Sequence, residues 1–430
     1  MQNTEAVPSN NTPSIAAVEA AIRRYYPTLL PACKCSLAVT AALAFKGRTK
    51  PLAVNFETPS GFGKSAITQL LFPRDRICEM NKYVYRSDKF SPHSFVSHVA
   101  GKSDEKMKQI DLLPKLNNKV LVIKELSPLF RGREEEMREN FSTLIAVLDG
   151  KGYMSNSGVH GQRGYDADIV FNWLGATTPL PASTHKLMSQ LGTRLLFYET
   201  PNAEPSFDEL LKYAAKNTAN EAETECQLAV NAFMEEFFRV HPVGTVDANL
   251  ITIPERQLKR IVLFARFLTY GRREIDFEKD SDGWTPVSAK PAEGAWKVIN
   301  YFKELAQAHA LIHGRYKVTD DDIALVDHIA VSSIPCHLRF ILRAMRPTGR
   351  MTSTEYAKRR RIAKSTALRH FSELEMTGLV VRTKGDTQLN EPDSLEMVPQ
   401  FSWFAETQPE LCASFSDADS TEAALQGTRG

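Results

Sequence analysis

The 430 residues are 43% hydrophobic and 24% charged and carry a net charge of only +2, so the chain can bury a full core without staples and has room for about three units of ~150 residues. Residues 1–14 lack the charged and apolar regions of a secretory signal, and the longest apolar-rich run, Ser36 to Phe45, falls short of the ~20 residues of a membrane span. These features exclude secreted and membrane-spanning classes and predict a soluble, cytoplasmic protein.

In chain order, residues 1–14 are polar and rich in Asn, Pro and Ser, a disordered composition. Ile15–Leu30 has the spacing of an amphipathic helix, and Cys35–Phe45 that of a more buried one. LAVNFE, residues 52–57, is a short apolar run ended by a turn, which predicts a buried strand. Further strands are predicted at Lys119–Ile123, Ile169–Leu174 and Leu195–Tyr198, with helices between them. Strands interleaved with helices predict a parallel α/β sheet. The cysteines at 33, 35, 78, 226, 336 and 412 form no CxxC pair and read as reduced thiols.

The first strand runs into Thr58-Pro-Ser-Gly-Phe-Gly-Lys-Ser65, which fits GxxxxGK[ST] except that Thr58 stands at the first glycine. Strand, glycine-bearing turn and apolar helix form the setting in which backbone N–H groups cradle phosphates. Pro59, Ser60, Gly61, Phe62, Gly63, Lys64, Ser65 and Ala66 are the expected ATP-binding residues. Lys64 supplies a cation for the β- and γ-phosphates and Ser65 a hydroxyl for Mg²⁺. Such a loop needs an acid at the end of a neighbouring strand. KVLVIKE, residues 119–125, offers Glu125 as the second Mg²⁺ residue. Lys124 stands where an Asp is usual, so no water-orienting base follows in the motif. Glu134, Glu135 and Glu136 are substitutes that read equally as a solvated helix start.

Beyond Pro201, helical spacing covers Phe207–Ala215, Glu221–Val240, Pro254–Tyr270, Ala295–His313 and Asp320–Ile329. Gly271–Gly294 is polar with Pro and Gly and reads as an inserted loop. His309 and His313 are four apart on one helix, with no third ligand at metal spacing, and read as ordinary imidazoles.

TPSGFGKS, GATTP at 175–179, QLGTRLLFYE at 190–199 and residues 303–326 occur in an order that resembles AAA+ ATPases of the minichromosome-maintenance helicase type. The resemblance is closer to the small members of that kind carried by bacterial mobile elements, and it covers roughly residues 30–330. It implies an AAA+ parallel-sheet core over 15–203 and a helical lid over 204–334 interrupted by the 271–294 loop. The family's sensor Asn falls on Thr178, beside Thr177. Its SRF arginine falls on Arg194, implying a finger that reaches the γ-phosphate of a neighbouring subunit in a ring-like homo-oligomer. Its lid arginine falls near Lys297. Residues 151–164, with Gly152, Gly158, Gly161 and Gly164, are similar to a DNA-touching hairpin, with His160 and Arg163 near its tip.

Residues 335–405 read as a separate winged helix-turn-helix. Thr352 or Ser353 can cap a helix through Arg360, and a second helix runs from Lys364 to about Met376, closed by Gly378. Ala367, Phe371 and Leu374 face its core, which leaves Lys364, Ser365, Thr366, Arg369 and His370 toward the DNA major groove. Arg359, Arg360, Arg361 and Arg382 are placed for phosphates. Between Arg339 and Gly385 there are 12 basic and three acidic residues, a net +9, whereas Asp386–Gly430 is net −8. That asymmetry predicts a polyanion-binding module followed by a disordered acidic tail over 406–430. The expected activity is an ATP-dependent DNA motor or remodeller, with helicase action as one form. A nucleotide-gated DNA-binding regulator with slow or no hydrolysis remains open. So does a scaffold that recruits protein partners through the winged unit or tail.

Overall fold

The computed structural model describes residues 14–406, apart from 72–77, 89–90, 98–103, 131, 158–160, 182–183, 185–187, 189–191, 202–205, 209–210, 212–213, 215–218, 281–282, 387 and 390. The architecture is α/β. Five parallel strands, β1 (Ala53–Glu57), β2 (Val84–Ser87), β3 (Val120–Ile123), β6 (Asn172–Thr177) and β7 (Leu196–Glu199), form one sheet in the order β2-β3-β6-β1-β7. β1, β3, β6 and β7 are buried at every position, as expected where helices cover both faces of a parallel sheet.

Successive strand residues point to opposite faces, and the two faces feed separate cores. Val54, Phe56, Val120, Val122, Leu174, Leu196 and Tyr198 join the N-terminal helices and the helices beyond residue 219. Ala53, Leu121, Ile123, Trp173 and Phe197 pack with the helices Leu113–Leu116 and Glu134–Leu148. Pro27–Ala44 is longer than the apolar run legible in sequence and apolar enough to cross a membrane, but 78% of it is buried inside the fold. Among the described residues five cysteines are free thiols, with Cys33 and Cys35 buried.

Four of the five helices predicted after residue 201 are present, as Ala219–Val240, Glu255–Gly271, Trp296–Ile312 and Asp320–Ser332. The helix predicted at Phe207–Ala215 falls largely outside the described residues. The predicted inserted loop is instead an antiparallel hairpin, β8 (Ile275–Asp280) with β9 (Gly283–Ala289). Another hairpin pairs β4 (Tyr153–Ser157) with β5 (Gly161–Tyr165).

The C-terminal unit contains helix Cys336–Met345, β10 (Arg350–Thr352), helices Ser353–Arg360 and Lys364–Thr377, β11 (Val380–Thr383) and β12 (Ser394–Met397). Its three strands form an antiparallel sheet in the order β10-β12-β11. Thr352 caps the first basic helix by accepting from the Glu355 N–H at 3.2 Å, and Gly378 closes the second in the left-handed conformation. Phe401 and Phe404 pack on Phe267 at ring distances of 5.8 and 4.4 Å, so the core of the unit is continuous with the helical region.

Two imidazoles, His328 within this core and the half-buried His370 at its margin, make stability pH-dependent. Burial, helped by Arg343, lowers His328 to about 3. Burial, helped by His337, lowers His370 to about 2. Both folded values lie below the ordinary 6.5, so the unfolded chain binds protons that the folded chain refuses. The stability they contribute is complete above pH 6.5 and is lost as pH falls toward 3. The free energy of unfolding from urea titrations should therefore fall as pH is lowered from about 7 to 5, by up to about 1.4 kcal/mol per pH unit for each imidazole. His370→Gln should flatten that slope; an unchanged slope in the variant would contradict the assignment.

Candidate functional site

β1 delivers the loop. Glu57 ends the strand, Thr58 to Gly63 turn, and the helix Lys64–Gln69 begins directly. Gly61 and Gly63 have φ of +91° and +83°, which a side chain would strain. A Cβ on Gly63 would lie 2.5 Å from Leu29 Cδ1, so the turn Pro27–Leu29 leans on the loop. Phe62 N–H donates to Pro59 C=O at 3.5 Å, and Ile67 N–H to Gly63 C=O at 3.2 Å. Pro59 and Ala66 are half-buried, Ser60 is exposed, and the side chain of Ser65 lies outside those described. Thr58, the departure from the motif, is wholly buried. Its N–H donates to Thr177 C=O at 3.0 Å and its hydroxyl bonds that of Thr200. The N–H bond ties the loop base to the end of β6 as any non-proline residue would, and the hydroxyl adds a tie to Thr200 beyond β7 that glycine could not make.

Three predicted residues converge beside this loop. The Lys64 ammonium is ion-paired with the Glu125 carboxylate. The other Glu125 oxygen accepts from the Ser127 N–H at 2.9 Å and from the Ser127 hydroxyl. That hydroxyl lies 2.8 Å from the Thr178 hydroxyl and accepts from the Thr178 N–H at 3.2 Å. Lys64, Glu125 and Thr178 thus form one polar cluster at the C-terminal edge of the parallel sheet, where open α/β sheets bind ligands. Burial alone would raise the Glu125 carboxyl, but Lys64 and the two Ser127 donors outweigh it and hold it below its ordinary value. Ser127 was not legible as a site residue. It resembles any serine opening a short 3-10 turn until β6 brings Thr178 against it.

Other candidates lie elsewhere. Lys124 approaches Asp88 at 3.4 Å. Glu134, Glu135 and Glu136 form the first turn of helix Glu134–Leu148, with Glu134 paired to Arg138 at 2.6 Å. Arg194 precedes β7 and so sits at the opposite edge of the sheet from Lys64. It pairs with Asp149 at 3.1 Å, and Lys297 approaches the same carboxylate at 3.6 Å.

Of the hairpin candidates, His160 lies outside the described residues. Arg163 is the third residue of β5, two beyond Gly161, and is paired with the buried Asp111 at 2.8 Å. Tyr165 bonds the same carboxylate at 2.7 Å. Gly164 has a packing reason, since a Cβ there would meet the Tyr153 carbonyl at 2.0 Å.

In the C-terminal unit Arg359, Arg361, Lys364, Ser365 and Arg369 are exposed, with Arg360 and Thr366 half-buried. Arg359 pairs with Glu355 at 2.6 Å, and Arg360 lies over the Phe340 ring at 4.8 Å. Two expectations are corrected. His370 is half-buried rather than open to solvent; it stands three residues after Ala367 and shares a 2.8 Å hydrogen bond with Tyr356. Arg382 is not free for phosphates; it is committed to Asp393 at 2.5 Å and to the Ser372 hydroxyl.

No protein-family model matches the chain, and no curated protein is similar to it in sequence.

Proposed function

We propose that this protein is a cytoplasmic, ATP-dependent DNA-acting ATPase of the AAA+ type, assembled as a ring-like homo-oligomer. The convergence of Lys64, Glu125 and Thr178 beside the left-handed Gly61 and Gly63 carries the reading. Residues 59–66 would hold the phosphates of ATP through backbone N–H groups and the Lys64 ammonium, with Ser65 and Glu125 holding Mg²⁺. Bound Mg²⁺ supplies charge neutralisation of the phosphates. Thr178 is poised to orient groups next to Glu125. Among the described residues none but the chain neighbours comes within 4 Å of the Cβ position of Gly61, so the turn is open to solvent there. Arg194, remote from its own loop, suits a role toward a neighbouring copy. The helix–strand–helix–helix–strand–strand order of residues 336–397 supports a winged helix that binds DNA through the exposed cations of the two basic helices.

A slow nucleotide-gated regulator is favoured by one observation. The position before Glu125 is Lys124, engaged with Asp88, rather than a second acid beside the loop. Turnover of ATP by the full chain, with and without duplex DNA, decides. Mg²⁺-dependent hydrolysis accelerated by DNA is expected. ATP binding without turnover in either condition would favour the regulator, and the absence of nucleotide binding would overturn both.

A further inference from the structure

Glu57 and Glu199 end β1 and β7 and stand opposite each other in the ladder. Arg339, 3% exposed, reaches both, with Nη1 2.8 Å from Glu57 and Nε 3.0 Å from Glu199. Arg343 pairs with the same Glu199. Two cations and two anions are therefore balanced in a buried cluster. The second Glu57 oxygen accepts from the Leu180 N–H at 3.1 Å, two residues beyond Thr178. One guanidinium thus ties the end of β1, from which the phosphate loop departs, to the end of β7, and the Glu57 carboxylate it holds also anchors the turn that follows β6. The planar fork directs Nη1 and Nε at the two carboxylates from fixed, separated positions, a geometry that the compact lysine ammonium does not reproduce.

Arg339 and Arg343 belong to the ten-residue helix Cys336–Met345, and other positions of that helix meet the basic helices. The His337 carbonyl accepts from the Tyr356 hydroxyl at 3.4 Å, and the His337 ring packs 4.7 Å from that of His370. Phe340 lies beneath Arg360. Tyr356 and Arg360 are on the first basic helix and His370 on the second. One short helix therefore touches the base of the phosphate loop and the back of both basic helices, and close-packed interiors transmit displacement rather than absorb it.

We infer that helix Cys336–Met345 is a lever coupling occupancy of the nucleotide site to the DNA-binding helices, with Arg339 as the positioning residue at its nucleotide end. The inference rests on the function proposed for both sites. Small helix shifts at packed interfaces are an established form of switching. Coupling is reciprocal, so DNA must change nucleotide affinity by the same factor that nucleotide changes DNA affinity.

The test measures the affinity of the full chain for a fluorescein-labelled DNA duplex with Mg²⁺ and either a non-hydrolysable imido analogue of ATP or ADP. Each ligand is also titrated alone. In the unaltered protein the two DNA affinities should differ by at least about fivefold. Arg339→Lys should bind DNA and nucleotide separately as before, yet bring that ratio close to one. A merely structural role would weaken both states alike and leave the ratio unchanged. If Arg339→Lys fails to fold, Arg343→Gln and Phe340→Ala, at the two ends of the lever, are read in the same way. A ratio of one in the unaltered protein with both ligands bound overturns the lever alone, as does an unchanged ratio in the folded variants. Failure of either single-ligand titration overturns the underlying site assignment, and the lever with it.

Discussion

Lys64→Ala is expected to abolish binding of ATP while leaving the fold intact. Lys64 is the one side-chain cation in the loop, residues 58–65, and hydrogen bonds to charged groups are worth about 1.5–3 kcal/mol each. The variant also strands Glu125, now paired with Lys64, as an uncompensated carboxylate facing the triphosphate. Loss and repulsion together should weaken binding by more than about 100-fold. Glu125→Gln separates the two effects. It removes the Mg²⁺ residue, so turnover should fall by roughly 100-fold or more, the scale of a lost electrostatic contact in a closed site. Lys64 is released from its carboxylate, so binding of ATP without Mg²⁺ should tighten. Undiminished binding of a labelled ATP analogue by Lys64→Ala would sink the assignment of the loop.

Local chemistry was legible in the sequence and distant pairing was not. Thr352 and Gly378 bound the two basic helices as expected, because caps depend on the residue itself and its next turn. The buried strands β1, β3 and β7 were legible because a doubly covered strand is a run of apolar residues. β2 was missed: VYRS, at the sheet edge, is only partly buried and gives no such run. The β8–β9 hairpin reads as a loop in sequence because its Pro, Gly and charges resemble turn composition. In the site, Lys64, Glu125 and Thr178 each carried a motif, whereas Ser127, which joins the last two, carried none. The local charge of +9 was the most misleading signal. Arg339, Arg343, Arg346 and Arg382 contributed to it, yet all four are engaged with carboxylates. Arg346 meets Asp327 at 2.6 Å, with both nearly fully buried. Their acids lie outside the counted segment, at 57, 199, 327 and 393, so no local count could cancel them.

That correction sharpens what DNA binding should look like. Arg350, Lys358, Arg359, Arg361, Lys364, Arg369 and Lys384 are exposed, with Arg360 half-buried beside them. Arg350 and Arg359 approach the acids Glu396 and Glu355 at 3.5 and 2.6 Å, but these exposed pairs cost little to exchange for phosphate. If four to six of these cations reach phosphates, log K against log[salt] should have a slope of about −4 to −5, and affinity should fall roughly 250- to 1,000-fold between ~50 and ~200 mM salt. Changing Arg359 and Lys364 together to Ala should shallow the slope by about two units and weaken all sequences alike. Arg369→Ala, on the exposed face of the second helix, should instead change the ranking of sequences if it reads a base edge. Arg382→Ala is the discriminating control. Its guanidinium is held by Asp393 and Ser372, so the salt slope should be unchanged while β11 loses an anchor and the urea midpoint drops. A fall in slope for Arg382→Ala equal to that for Arg359→Ala would mean that the wing opens on DNA. A full-chain slope shallower than about −1 would remove the phosphate interface altogether and leave the basic helices as a surface for an acidic protein partner.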